Sequence, residues 1–255
     1  MLVLGKREYF FRPLFYFTAL FIFFQVTRLQ FFTSPTRSNR RRFGGKLVFL
    51  TVQTNLILFA YTLLALVTSC LKALLPDNSA YPWFNKLEKL CYQVSGLAFP
   101  SGAFMGIGYY SLIHFHKEVR KVASQVKHFD KLMHWLHGFP LLYVFLDAVF
   151  LDPSVVRRYK QPFWTEASWS LSFAFFYFCW TILCAYLNDW NWPYPFQHEL
   201  SFLKQVIFYS MVFAIVPLLV FLGRSIRSCL HWKSWKDGKS FHVASVQDTE
   251  QVKQD

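Results

Sequence analysis

Residues 47–70 read LVFLTVQTNLILFAYTLLALVTSC, a run of 24 positions without a charged side chain. A helix needs about 20 apolar residues to cross the hydrocarbon core of a bilayer. Five further long apolar segments occur, at residues 10–32, 92–115, 132–151, 167–187 and 205–223. The sequence therefore predicts an all-α polytopic membrane protein with about six transmembrane helices.

The composition supports this class and excludes others. Apolar residues make up 54% of the 255 positions and aromatic residues 21%, whereas charged residues make up only 16%, against about 25% in soluble domains. These values exclude a soluble globule and an intrinsically disordered chain. A net charge of +13 is also found in nucleic-acid-binding proteins, but long uncharged Phe/Leu runs do not fit that class. We expect a bilayer as the partner and no nucleic acid.

The apolar segments fill more than half of the chain, so no sizeable soluble domain is left. We predict a single integral-membrane domain over residues 1–225 and a polar, disordered tail over residues 226–255. Four glycines in the third segment are predicted to permit close helix packing rather than to contact a ligand. They are Gly96, Gly102, Gly106 and Gly108.

An even number of spans places both termini on one side of the membrane. Lys and Arg then number 15 on the side of the termini and 11 on the other, which favours cytoplasmic termini. The loop 188–201 contains neither Lys nor Arg, and its Trp190, Trp192 and Tyr194 are typical of an interfacial belt on the opposite face. The endoplasmic reticulum and the plasma membrane both fit as the membrane of residence.

Ionisable residues inside a bilayer are costly and often functional. The fourth segment contains three of them, His134, His137 and Asp147. The histidines share a helix face, whereas Asp147 lies about 15 Å further along the axis and cannot orient His137 directly. Three interpretations stay open: structural histidines at a helix end, a metal site with only two evident ligands, and a proton relay or catalytic base.

Thr51 begins the second segment at a depth similar to that of His137. Both lie four or five residues into segments that enter from the same side, about 6–8 Å below the surface. A hydroxyl and an imidazole at matched depth have the geometry of a nucleophile and its general base, provided that the helices are neighbours. The alternative is a Thr that bonds to a carbonyl of its own helix.

Four short motifs occur in a characteristic order. They are GGKLVFLT at 44–51, LAFP at 97–100, the His-x-x-His at 134–137 and the Trp-x-Tyr-Pro at 192–195. Over roughly residues 10–225, the chain resembles the androgen-induced protein and androgen-dependent TFPI-regulating protein family. The resemblance implies a multi-pass membrane hydrolase of fatty acid esters of hydroxy fatty acids that uses an intramembrane Thr and His.

The family's nucleophile falls on Thr51, and its catalytic His falls on His137. A shifted alignment, in which the catalytic His falls on the first histidine of the pair, would make His134 the base. His134 and Asn55 are expected supporting residues, and Asp147 stands where the family has Glu. Backbone N–H groups or Asn55 are the candidates for stabilising an oxyanion. No metal or cofactor is expected. The rival hypothesis is a non-enzymatic multi-pass protein, either a transporter or a signalling scaffold, with structural histidines.

Overall fold

The computed structural model describes residues 2–32, 43–75, 81–115 and 133–230, and its regular structure in these ranges is helical. The helices are α1 (Leu2–Phe32), α2 (Leu50–Leu74), α3 (Pro82–Phe115), α4 (Phe139–Phe150), α5 (Pro153–Tyr159), α6 (Phe163–Tyr186), α7 (Pro195–His198) and α8 (Phe202–Leu230). A short 3-10 turn, Gly45–Val48, precedes α2. A π-helical segment, His134–Gly138, leads directly into α4.

Among the described residues, four helices are long and apolar enough to cross a bilayer. They are Phe11–Phe31, Leu50–Leu74, Phe163–Tyr186 and Phe202–Cys229. The predicted all-α polytopic membrane fold is therefore confirmed. The third and fourth predicted spans correspond to α3 and to the π-helical segment with α4. Helix α3 packs against α2, α4, α6 and α8, so the small and polar residues that are buried on it, such as Ser95, Ser101 and Gly102, contact protein. The count of six spans stays a prediction.

The limits of the predicted membrane domain shift slightly in the structure. Helix α8 continues to Leu230, so residues 226–230 are helical rather than part of a tail. The tail prediction from residue 231 onward lies outside the described residues.

Glycines bring α3 and α4 close together. A Cβ on Gly102 would lie 2.7 Å from Val144 Cγ1, and one on Gly106 would lie 2.6 Å from Leu141 Cβ. These two positions pack as the sequence predicts. The packing prediction is wrong for Gly108, because no atom of another element in the described ranges lies within 4 Å of a Cβ placed there, and this residue lines a cavity instead.

The proline of the LAFP motif creates a bond between helices. Pro100 has no N–H, so the Gly96 carbonyl one turn earlier lacks its usual intrahelical donor. The Ser170 hydroxyl of α6 donates to this carbonyl over 3.1 Å. Helix α6 is thereby held against α3 at a fixed height in the bundle.

Asp147 belongs to the core between α1, α2 and α4. The Tyr16 hydroxyl donates to its Oδ1 atom over 2.9 Å, and the Tyr61 hydroxyl donates to its Oδ2 atom over 2.8 Å. All three residues are buried. Asp147 thus connects three helices, in agreement with the sequence argument that it cannot orient His137.

Ion pairs gather at one end of the bundle. Asp152 Oδ2 lies 2.8 Å from both Arg12 Nη1 and Lys72 Nζ, and Arg224 Nη1 donates to the Gln161 carbonyl over 2.9 Å. These contacts join the beginning of α1, the end of α2 and the end of α8 to the connection between α4 and α6. The beginning of α2, with Thr51, therefore lies at the opposite end of the bundle.

Candidate active site

Pro140 shapes the segment that carries His137. The Phe139 N–H bonds to the His134 carbonyl, five residues back, which is the π-helical pattern. Because Pro140 has no N–H, the Leu136 carbonyl lacks its usual donor, and Asn55 Nδ2 of α2 donates to it over 3.4 Å. Asn55 thus ties the segment that bears His137 to the helix that bears Thr51. Such π-helical interruptions occur frequently at functional sites.

Thr51 and His137 are in direct contact, and the second hydrogen bond of the imidazole fixes its tautomer. The Thr51 Oγ1 atom lies 3.1 Å from His137 Nε2, and His137 Nδ1 lies 3.0 Å from the Met133 carbonyl oxygen. Because a carbonyl only accepts hydrogen bonds, Nδ1 must carry the proton in the neutral ring. Nε2 is then an acceptor for the Thr51 hydroxyl, which is the arrangement of a nucleophile and its general base.

Packing holds the imidazole in this orientation. His137 is only 7% exposed. The ring of Tyr109, from α3, stacks on it with a centroid distance of 3.8 Å and an interplanar angle of 4°. Tyr109 is not among the residues predicted from the sequence, because nothing in the sequence indicates which α3 residue faces the histidine.

His134 has a different environment. It is exposed, and its Nδ1 atom lies 2.7 Å from the Tyr110 hydroxyl. Its contacts within the described residues do not include Thr51, and it does not line the cavity described next. Of the two histidines in the motif, His137 is the one that meets Thr51.

A cavity of about 550 Å³ begins at Thr51 and His137 and continues between α3, α6 and α8. This volume lies within the range of small-molecule sites, about 300–1,000 Å³. Its walls are mostly apolar and include Phe104, Phe173, Phe178, Phe208, Val212 and Val216. The cavity therefore suits a long hydrocarbon chain whose polar group stops at the Thr–His pair.

The cavity reaches the outer surface of the bundle between α3 and α8. Ile107 and Phe115 of α3, with Met211 and Ile215 of α8, line it and are also exposed. In a bilayer, an apolar surface at this position faces lipid tails.

Tyrosines surround the first turn of α2. The Tyr194 hydroxyl accepts from the Leu50 N–H over 2.9 Å, and the Tyr177 hydroxyl donates to the Val48 carbonyl over 3.1 Å. Both tyrosines line the cavity. The prediction that loop 188–201 forms an interfacial belt fits Trp190, which is 57% exposed. It does not account for Tyr194, which lines the cavity. The short helix α7 returns the chain toward the bundle and places the ring of Tyr194 inside it. The only feature of the sequence that singled out Tyr194 was its position in the Trp-x-Tyr-Pro motif.

A model of the FAR-17a/AIG1-like protein family matches residues 11–228. The chain belongs to this family. Because it is the family of the androgen-induced protein, the resemblance found in the sequence is confirmed. Comparisons with curated proteins and with solved structures gave no match.

The FAR-17a/AIG1-like match includes every residue that lines the cavity, from Leu50 to Leu219. It also includes all four candidate membrane-spanning helices. Membership of the FAR-17a/AIG1-like family therefore agrees with an integral membrane protein whose matched region contains the whole candidate site.

Proposed function

We propose that this protein is a membrane-embedded hydrolase of fatty acid esters of hydroxy fatty acids, with Thr51 as nucleophile and His137 as general base. The observation that carries the proposal is the 3.1 Å contact between Thr51 Oγ1 and His137 Nε2 at the wall of an apolar cavity. A membrane Thr more often bonds to a carbonyl of its own helix. Here, the hydroxyl instead meets the unprotonated nitrogen of an imidazole.

The reaction follows from this arrangement. His137 Nε2 takes the Thr51 hydroxyl proton while Oγ1 forms a bond to the ester carbonyl carbon. The bond to the alkoxy oxygen then breaks, and His137 returns the proton to the departing alcohol. Water, activated by the same nitrogen, hydrolyses the acyl-threonine and releases the fatty acid. This sequence of steps requires no metal or cofactor.

The substrate class rests on the cavity and on the family resemblance. The apolar walls and the opening between α3 and α8 favour a lipid that arrives from the bilayer. A long-chain ester places its carbonyl at the Thr–His end and its hydrocarbon chain between the helices. The resemblance to the androgen-induced protein family supplies the specific class, esters of hydroxy fatty acids.

Asn55 and His134 would act indirectly. Asn55 contacts the Leu136 carbonyl and does not line the cavity, so its role would be to position the segment of His137 rather than to touch the ester. His134 would hold its segment against α3 through Tyr110, and we expect its substitution by Ala to leave partial activity.

Purified protein in lipid nanodiscs, supplied with a fatty acid ester of a hydroxy fatty acid, tests the proposal. Thr51→Ala and His137→Ala should each lower kcat by about 10³-fold or more, since each removes one half of a single catalytic unit. The double variant should be no slower than either single variant. Released hydroxy fatty acid, measured by mass spectrometry, gives the rate.

A labelled fluorophosphonate provides an independent measurement, because it reacts with activated hydroxyl groups. It should label the wild-type protein and not Thr51→Ala. Normal turnover or labelling by folded Thr51→Ala would contradict the proposal, and a wild-type protein without hydrolytic activity would favour the non-enzymatic transporter or scaffold.

A further inference from the structure

The first turn of α2 contains an N–H group that lacks an acceptor among the residues that the structure describes. The first four N–H groups of any helix have no intrahelical partner. In α2, the Leu50 N–H donates to the Tyr194 hydroxyl, and the Val52 and Gln53 N–H groups donate to the Phe49 carbonyl. Within the described residues, the N–H of Thr51 has no such bond.

The hydroxyl proton of the neighbouring Tyr194 makes only a weak hydrogen bond. The Tyr177 hydroxyl donates its single proton to the Val48 carbonyl. The contact of 3.3 Å between the two phenol oxygens therefore uses the Tyr194 proton. This distance is long for an O–H···O bond. The Tyr194 hydroxyl can therefore donate to a stronger acceptor in the cavity instead of to Tyr177.

The surroundings of Tyr194 make it a good donor. Donation from the Leu50 N–H into its oxygen polarises the O–H bond and strengthens the bond that it makes in turn. Burial raises the pKa of Tyr194 above its ordinary value, so the hydroxyl keeps its proton at neutral pH. The ring also lines the cavity beside Thr51.

We propose that the Tyr194 hydroxyl and the Thr51 N–H form the oxyanion hole of this site. The inference rests on the proposed hydrolase function. When Thr51 Oγ1 bonds to the ester carbon, the carbonyl electron pair moves to the carbonyl oxygen. Tyr194 and the Thr51 N–H hold this oxygen by hydrogen bonds and transfer no proton to it. When the intermediate collapses, the electron pair returns and the alcohol leaves with the proton from His137.

The location explains why these two donors suffice. Both lie at the N-terminal end of α2, where the helix dipole stabilises negative charge. Donors fixed in advance in a site with little water stabilise a developing oxyanion strongly. Asn55, the side-chain candidate from the sequence, does not fit this role because its amide donates to the Leu136 carbonyl outside the cavity.

Tyr194→Phe tests the inference, with Tyr143→Phe as the matched control. Tyr143 is also a buried tyrosine with a hydrogen-bonded hydroxyl, which accepts from Thr62 Oγ1 over 2.8 Å, but it does not line the cavity. Tyr194→Phe should lower kcat for ester hydrolysis by about 10²-fold with little change in KM, which is the effect of removing one oxyanion donor. Tyr143→Phe should leave kcat within about twofold of the wild type. Equal losses in the two variants would overturn the inference.

A second measurement separates oxyanion binding from structural effects. A long-chain trifluoromethyl ketone forms a hemiketal oxyanion with Thr51, whereas the corresponding alcohol cannot. Tyr194→Phe should weaken binding of the ketone by about 10²-fold and leave binding of the alcohol unchanged. Equal weakening of both ligands would indicate a packing role and overturn the inference.

Tyr177→Phe is the second variant if Tyr194→Phe does not fold. It removes the competing acceptor and leaves Tyr194 bonded to Leu50, so ketone affinity should hold or increase. A loss of about 10²-fold would contradict the inference.

If the wild type hydrolyses the ester, Thr51→Ala does not, and Tyr194→Phe retains full kcat and ketone affinity, only the oxyanion hole fails. An inactive wild type would overturn the proposed function together with this inference.

Discussion

Pro140 changes what its neighbours can do, although it carries no reactive group. By lacking an N–H, it leaves the Leu136 carbonyl free for Asn55, and this bond joins the helix of Thr51 to the segment of His137. Thr54, next to Asn55, is equally buried, but its hydroxyl has no hydrogen-bond partner in the described part of the chain. The two neighbouring polar residues therefore differ in role.

We predict that Asn55→Leu lowers kcat by about 10- to 100-fold, because a misplacement of about 1 Å at a catalytic base has effects of this size. It should also lower the free energy of unfolding by about 1 kcal/mol, since a buried carbonyl loses its donor. Thr54→Val is the matched control and should retain wild-type activity, because it removes a hydroxyl that has no hydrogen-bond partner among the described residues. Assays of ester hydrolysis and thermal unfolding in detergent measure both effects. Equal losses in the two variants would indicate general damage to the core.

At the scale of the element, α3 has two different faces. Its Gly106 touches the segment of His137, where a Cβ would lie 2.9 Å from the His137 carbonyl oxygen. Its Gly108, two residues later, faces the cavity and has free space around it. The same residue type therefore brings two backbones together at one position and leaves room for a ligand at the other.

We predict that Gly106→Ala lowers the free energy of unfolding by about 1–3 kcal/mol, because the added methyl group overpacks the α3–α4 contact. Activity should fall as well, since the methyl group pushes on the segment of His137. Gly108→Ala should fold with equal or greater stability, by up to about 1 kcal/mol, because Ala favours the helix and meets no neighbour. Thermal unfolding of both variants in the same detergent compares them. Greater damage from Gly108→Ala would contradict the assigned faces.

For the whole molecule, the cluster of ion pairs around Asp152 and the candidate site lie at opposite ends of the bundle. Arg12, Lys72 and Asp152 form ion pairs at the end where α1 begins and α8 ends. Thr51 and His137 lie near the other end, beside the loop 188–201, which lacks Lys and Arg. The positive-inside rule assigns the end with the termini to the cytoplasm.

We predict that both termini are cytoplasmic and that the Thr–His pair lies near the opposite face of the membrane. An epitope tag at either end should become accessible to antibody only after the plasma membrane is permeabilised. Protease protection of isolated vesicles provides the same measurement for internal membranes. Tags on opposite faces would contradict the six-span prediction, whereas two non-cytoplasmic tags would reverse the orientation alone.

The sequence by itself determined the class of fold, and it predicted that Thr51 and His137 lie at a similar depth. Long runs without charge, such as residues 47–70, have a stable environment only in a bilayer, so composition and length settle the class. Because the rise per residue of a helix is constant, counting residues from the start of each apolar segment predicts that Thr51 and His137 lie at a similar depth.

Only the tertiary structure decided which side chains meet around that pair. The partners of α3 depend on how the helices rotate and pack, so Tyr109, which stacks on His137, and Gly108, which faces the cavity, carry no distinguishing pattern in the sequence. Tyr194 lies more than 140 residues from Leu50, and its loop position is equally consistent with an interfacial belt. A contact between distant segments depends on helix packing and loop return, which local periodicity does not encode.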